Sequence, residues 1–210
     1  MQLQQEKSTL VIAGSFNPAI LVPPWFAKNV LGKPEGENFP VQVQAPLASV
    51  VQAPRFTFLG ISFTPSFQSL TFHLQDLDPA ASQGVCESAA TLLQRLPHTP
   101  VLGVGFNFTF LDAAPSAQLL QTFQPREDLP PALGEGAQVV AQSWSNLVSW
   151  GNSLVKIKCE RKGNEVTLEL NFHYSVKDAT SGEAVLRKDN VFALHKDAAQ
   201  RVAATLGPEG

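Results

Sequence analysis

The same order of elements is written twice along this chain, and that doubling restricts the fold more than any single motif does. The first copy opens on Val11-Ile12-Ala13-Gly14-Ser15-Phe16-Asn17 and the second on Val101-Leu102-Gly103-Val104-Gly105-Phe106-Asn107, each an apolar run closing on Phe-Asn. Each is followed by a short helical stretch that begins at a proline, Pro24 to Leu31 and Pro115 to Phe123, then by a run of strands and a final helix. A repeated unit fixes the architecture before any residue is assigned a role. The implied boundaries are a polar tail at 1–8, a first α+β half at 9–98, a second at 99–206 and a tail at 207–210. At 210 residues the two halves can share one core.

Turn chemistry makes the second half the clearer copy. A strand from Val139 to Ser149 is joined by Trp150-Gly151-Asn152-Ser153 to a strand from Leu154 to Glu160, and Lys162-Gly163-Asn164 joins that to a third from Val166 to Val176. Val155, Ile157 and Cys159 alternate with Lys156, Lys158 and Glu160. Leu168, Leu170, Phe172 and Tyr174 alternate with Glu169, Asn171 and His173, so each strand has one apolar and one polar face. The loop 178–182 leads to an expected last strand near Ala184 to His195 and a helix from Asp197 to Leu206, closed by Gly207-Pro208. The segment 124–136, rich in proline, glycine and acids, is expected to be a mobile loop.

The first half is punctuated by prolines at 40, 46, 54 and 65. Strands are expected near Val41 to Ala45, Phe56 to Phe63 and Phe67 to Gln75. The helix after them is well marked: Asp78 can cap, Pro79 suits the first position, Val85, Ala89, Leu92, Leu93 and Leu96 recur at helical spacing, and Pro97 ends it.

Two units of this order around a largely antiparallel, curved sheet resemble, in architecture alone, the pseudo-symmetric saddle of the TATA-binding-protein fold. Element order carries the resemblance and no family motif accompanies it, so it implies a fold and transfers no functional residue. The alternative is a helix-grip layout, one sheet wrapped on a long helix.

Candidate chemistry is sparse. The histidines at 73, 98, 173 and 195 fit no metal or metalloprotease spacing and read as ordinary surface residues, with His98 in a structural loop. Cys86 and Cys159 form no C-x-x-C and fall on apolar faces as free thiols. Ser15 follows a strand but lacks the closing glycine of a nucleophile elbow. Gly103 and Gly105 do not extend to a phosphate-binding motif and read as places where another backbone or helix comes close. No catalytic residue, cofactor or metal is assigned. A formal charge of −3 weighs against nucleic acid and anionic lipid as partners, and the start of the chain has no apolar export signal, so a cytoplasmic address is expected.

What remains is the polar register of the strands. Thr71 with His73, Asn107 with Thr109, and Asn171 with His173 fall on it, and Gln142, Trp144 and Asn146 are placed there too. If both halves contribute to one sheet, these residues share an uncovered face suited to a partner, with tryptophan as its anchor. The expected role is therefore a non-catalytic interaction or accessory subunit of a cytoplasmic assembly, binding a protein partner or a second copy through Trp144, Gln142, Asn146, His73, Asn107, Asn171 and His173. A carrier or enzyme with an apolar pocket between sheet and helix, suggested by 14 phenylalanines, is the alternative, and nucleic-acid binding by the saddle face is the third reading.

Overall fold

The computed structural model describes residues 1–45, 53–123 and 134–206, together with positions 130 and 132. In chain order its elements are β1 (Gln2–Leu3), β2 (Thr9–Gly14), α1 (Pro23–Asn29), β3 (Gln42–Gln44), β4 (Arg55–Phe58), β5 (Ile61–Pro65), β6 (Ser69–His73), α2 (Pro79–Arg95), β7 (Val101–Asp112), α3 (Ala117–Gln121), β8 (Ala141–Trp150), β9 (Ser153–Lys162), β10 (Glu165–Ser175), α4 (Ala179–Leu186) and α5 (Val191–Leu206). The strands form one open, antiparallel sheet in the order β3-β4-β5-β6-β2-β7-β10-β9-β8, with β1 pairing β7 beyond the end of β2.

The opening strands of the two halves meet at the centre. β2 runs antiparallel to β7, Leu10 opposite Phe106 and Ile12 opposite Val104, and the order outward is repeated on either side: β6, β5, β4 to one flank and β10, β9, β8 to the other. The α+β saddle layout is thus the one that forms. Among the described residues no single helix is gripped by the sheet; α2, α4 and α5 together cover one face.

Alternation along the central strands decides which face that is. Leu10 and Ile12 of β2, Leu70 and Phe72 of β6, Val104, Phe106, Phe108 and Phe110 of β7, and Leu168, Leu170 and Phe172 of β10 are buried beneath the helices. Each half has an aromatic knot there. Phe26 of α1 stacks on Phe63 with centroids 4.9 Å apart, and Phe192 of α5 lies against Phe106 and Phe108 at 5.9 and 5.1 Å. Such pairs add roughly 0.5–1.5 kcal/mol to the burial of the rings.

Local signals explain the helix ends. The Asp78 carboxylate accepts from the amide of Ala80 at 3.0 Å and Pro79 occupies the first turn, as the sequence predicts for α2. Asp178 caps α4 in the same way, accepting from the Ser181 amide at 2.7 Å. The strand expected over 184–195 does not exist. Ala179, Gly182, Val185 and Leu186 fall on one helical face, a break follows at Asn190 (φ 52), and α5 starts six residues ahead of the expected Asp197. Gly182 makes this packing possible, since a Cβ there would sit 3.0 Å from Leu93 Cδ1 of α2.

The single strand expected over 56–63 is a hairpin, β4–β5. Its two-residue loop, Leu59-Gly60, has positive φ at both positions (48° and 77°), which fits a type I′ turn. A leucine in that region is rare, so the sequence hid the turn. The loop expected over 124–136 lies largely outside the described residues. No helix among those described is long and apolar enough to cross a membrane.

Candidate interaction face

Register places the polar residues of the central strands side by side. One row crosses six strands, His73–Thr9–Asn107–Asn171–Lys156–Leu147, and the next runs Thr64–Thr71–Val11–Gly105–His173–Leu154. Directly opposed residues point to the same side of a sheet, and this is the side opposite the buried phenylalanines. None of the five helices among the described residues packs on it.

Four of the seven predicted site residues therefore come together: His73, Asn107 and Asn171 in one row, with His173 in the adjoining one. Asn171 Nδ2 donates to Asn107 Oδ1 at 2.5 Å, and Asn107 Nδ2 donates to Thr9 Oγ1 at 3.0 Å, a ladder across β10, β7 and β2. Each amide keeps a further N–H to offer. His73 Nε2 lies 3.0 Å from Thr64 Oγ1; burial, and then the Arg55 charge, push its pKa down to about 4, so near neutrality it is an uncharged hydrogen-bonding group.

The other three, Gln142, Trp144 and Asn146, lie on the opposite face. The two-residue loop Gly151-Asn152 pairs Trp150 with Ser153, and equal steps back from it pair Val148 with Val155, Asn146 with Ile157 and Trp144 with Cys159. Cys159 and Val155 are buried under the helices, so these three β8 residues point that way as well. Trp144 is half-buried against the core, its indole N–H 3.4 Å from Thr122 Oγ1 after α3. The signal was present in the sequence, because a two-residue turn fixes the phase of both its strands. β8 itself, with polar residues (Gln142 and Asn146, Ser143 and Ser145) and apolar residues (Trp144 and Val148, Ala141 and Leu147) on both parities, gives no phase of its own.

Gly103 and Gly105 belong to the open face, where the backbone of the neighbouring strands comes close as expected, Tyr174 O lying 3.3 Å from a Cβ built on Gly103, and a side chain comes closer still. A Cβ on Gly103 would lie 2.5 Å from His173 Cε1, and one on Gly105 would lie 3.4 Å from Asn171 Nδ2. The bare backbone lets the imidazole and the amide lie flat across β7. Beside them a shallow depression of about 450 Å³ is lined by Asn107, Thr109, Lys156, Lys158, Glu169 and Asn171. Lys158 sits 2.6 Å from Glu160 and 4.0 Å from Glu169; the pairing holds the Glu160 carboxyl below its usual range and the ammonium above its own.

His195 departs most from expectation. It is fully buried in α5, stacked 4.7 Å from Phe106 and edge-on to Phe172 and Trp150. Its Nδ1 lies 2.5 Å from the Val191 carbonyl, so this nitrogen carries the proton and Nε2 accepts from the Tyr174 hydroxyl at 2.9 Å. Its helical spacing from Val191 and Phe192 was the missed signal, obscured by the strand expected there. Both ring nitrogens are satisfied and the ring is closed off, which suits packing rather than turnover. Cys86 and Cys159 are free and buried, which pushes their thiols up to about 12 and about 11, far from a reactive thiolate. No three His, Cys, Asp or Glu among the described residues are grouped to hold a metal ion. Comparison of the sequence with protein-family models gives no match, and comparison with the curated proteins gives none either.

Proposed function

We propose that the protein is a non-catalytic interaction subunit that takes a protein partner on the sheet face that none of the described helices covers. The observation that carries this reading is the row His73–Thr9–Asn107–Asn171, which sets amide, hydroxyl and neutral imidazole groups side by side, with glycines in β7 that keep the surface low. Such a surface offers a partner fixed donors and acceptors at little cost in side-chain ordering. Glu160 and Glu169 beside Lys158 make it poorly suited to a phosphate backbone, as does the net charge.

The test compares quantitative pull-downs from an extract of its own cells. Asn171→Arg, which puts a long cation across the ladder, should lose a protein that the wild type retains in stoichiometric amount; Leu194→Arg, at an exposed position of α5, should keep it. Equal retention by wild type and Asn171→Arg would refute the assignment.

A second reading rests on an apolar groove of about 260 Å³ between β8–β9 and α5, lined by Val148, Trp150, Ile157, Phe172, Ala198 and Val202. A small apolar ligand would fit its chemistry. A saturable rise in Tm with decanol, lost in Ala198→Trp, would support that reading, and no response would remove it.

A further inference from the structure

The two ends of the sheet are finished differently. At one end β3 is only three residues long and is flanked in sequence by Pro40 and Pro46, the ordinary ways of closing an edge to other chains. At the other end β8 is ten residues long and, among the described residues, pairs only with β9. It carries none of the usual protection: from Gly136 to Val155 there is no charge and no proline, in a chain that is 16% charged. All of its residues from Ser145 to Trp150 are exposed, Leu147 at 68%.

The backbone there is ready to pair. Trp150 and Ser153 close the two-residue loop and face each other, so the N–H and C=O groups of the odd-numbered residues Ser145, Leu147 and Ser149 point away from β9. Gln121 to Phe123 border the strand at Gln142 to Trp144, leaving the stretch from Ser145 onward as the accessible part.

We propose that this edge pairs with the same edge of a second copy, antiparallel about a two-fold axis through Leu147. The strand's own sequence argues for self-pairing. With no charge on β8, a copy laid against itself brings no like charges together, which is the usual obstacle to an edge-to-edge contact. A two-fold at Leu147 sets that residue against Leu147 of the second copy and Ser145 against Ser149 of the second copy, on the hydrogen-bonded positions. On the alternate positions, where side chains of opposite strands stand closest, it sets Trp150 against Trp144 of the second copy. The exposed Val148 and Trp150 are brought to the same seam. Each sheet then continues into the other, and the contact is isologous and closed. This edge is distinct from the face proposed above for a partner, and either assignment can fail without the other.

The experiment is sedimentation equilibrium on the full chain at micromolar concentration. The wild type should sediment at twice 22.7 kDa. Ser145→Pro removes an outward N–H without touching the bonds to β9, and Leu147→Lys sets two cations on the axis; both should sediment as monomers with unchanged circular dichroism. Phe67→Lys, at an exposed residue remote from β8 in the sheet order, should remain a dimer. If Ser145→Pro fails to fold, Leu147→Lys alone decides. A monomeric wild type overturns the proposal and leaves the edge to a strand from another protein. A dimer that survives both β8 substitutions, or one that Phe67→Lys dissolves, overturns it by placing the interface elsewhere.

Discussion

A neutral imidazole is the form that the His195 site accepts. Burial pushes its pKa below the ordinary 6.5, the nearby Lys188 acts the same way, and the Val191 carbonyl only partly opposes them. His73 is pushed down to about 4 by burial and by Arg55. Both groups are uncharged when folded and take up a proton more readily when unfolded. Their contribution to stability is therefore complete above pH 6.5 and is lost as pH falls below it, that of His73 on the way toward about 4. The urea midpoint should drop across that window, and His195→Gln, which has nothing to protonate, should flatten part of the drop. A midpoint constant with pH, or an identical slope in the variant, would contradict this account. Two glycines make a second comparison. A Cβ at Gly14 would stand 2.4 Å from the backbone carbonyl of Pro100, whereas at Gly103 it meets the tip of the His173 ring at 2.5 Å. An imidazole can swing aside and a carbonyl in a paired segment cannot. Gly14→Ala should therefore cost more than Gly103→Ala, within about 1–3 kcal/mol for crowding of this kind, as read from denaturation midpoints.

At the level of elements, capping and turns decided what the sequence could reveal. Asp78-Pro79 and the terminating Pro97 made α2 legible almost to the residue, and the Gly-Asn pairs at 151–152 and 163–164 made the β8–β9–β10 meander legible in order. The polar register on β6, β7 and β10 was legible for the same reason, since each carries a clean alternation. β8 was misphased because its alternation is blurred, and the phase had to come from a turn that begins seven residues after Trp144, at Gly151. The α4–α5 pair was misread because Val185, Leu186, Val191 and Phe192 make short apolar runs that suit a strand as well as a helix. Asp178 is what selects the helix: its carboxylate accepts from both the amide and the hydroxyl of Ser181, bonds that hold it below its usual pKa. Asp178→Ala should lower the melting temperature. Asp178→Asn, still able to accept, should recover most of the loss in thermal melts.

For the whole molecule, the pairing of β2 with β7 means that neither half owns the centre of the sheet. Leu10 and Ile12 are fully buried only when Phe106 and Val104 lie beside them, and α2 of the first half packs on α4 and α5 of the second. Urea should therefore unfold the chain in one transition by fluorescence and by circular dichroism alike, and residues 1–98 expressed alone should not give a folded product. Two separated transitions would show that the halves are independent. The same central pair has a consequence in time. β2 is finished once Gly14 has been added, yet its partner on β7 is not complete until residue 107 has followed. Through that interval the most apolar strand of the first half has one side unclaimed. Contacts so distant along the chain close slowly, and during synthesis this is the point at which a helper protein, or a wrong neighbour, finds the polypeptide open.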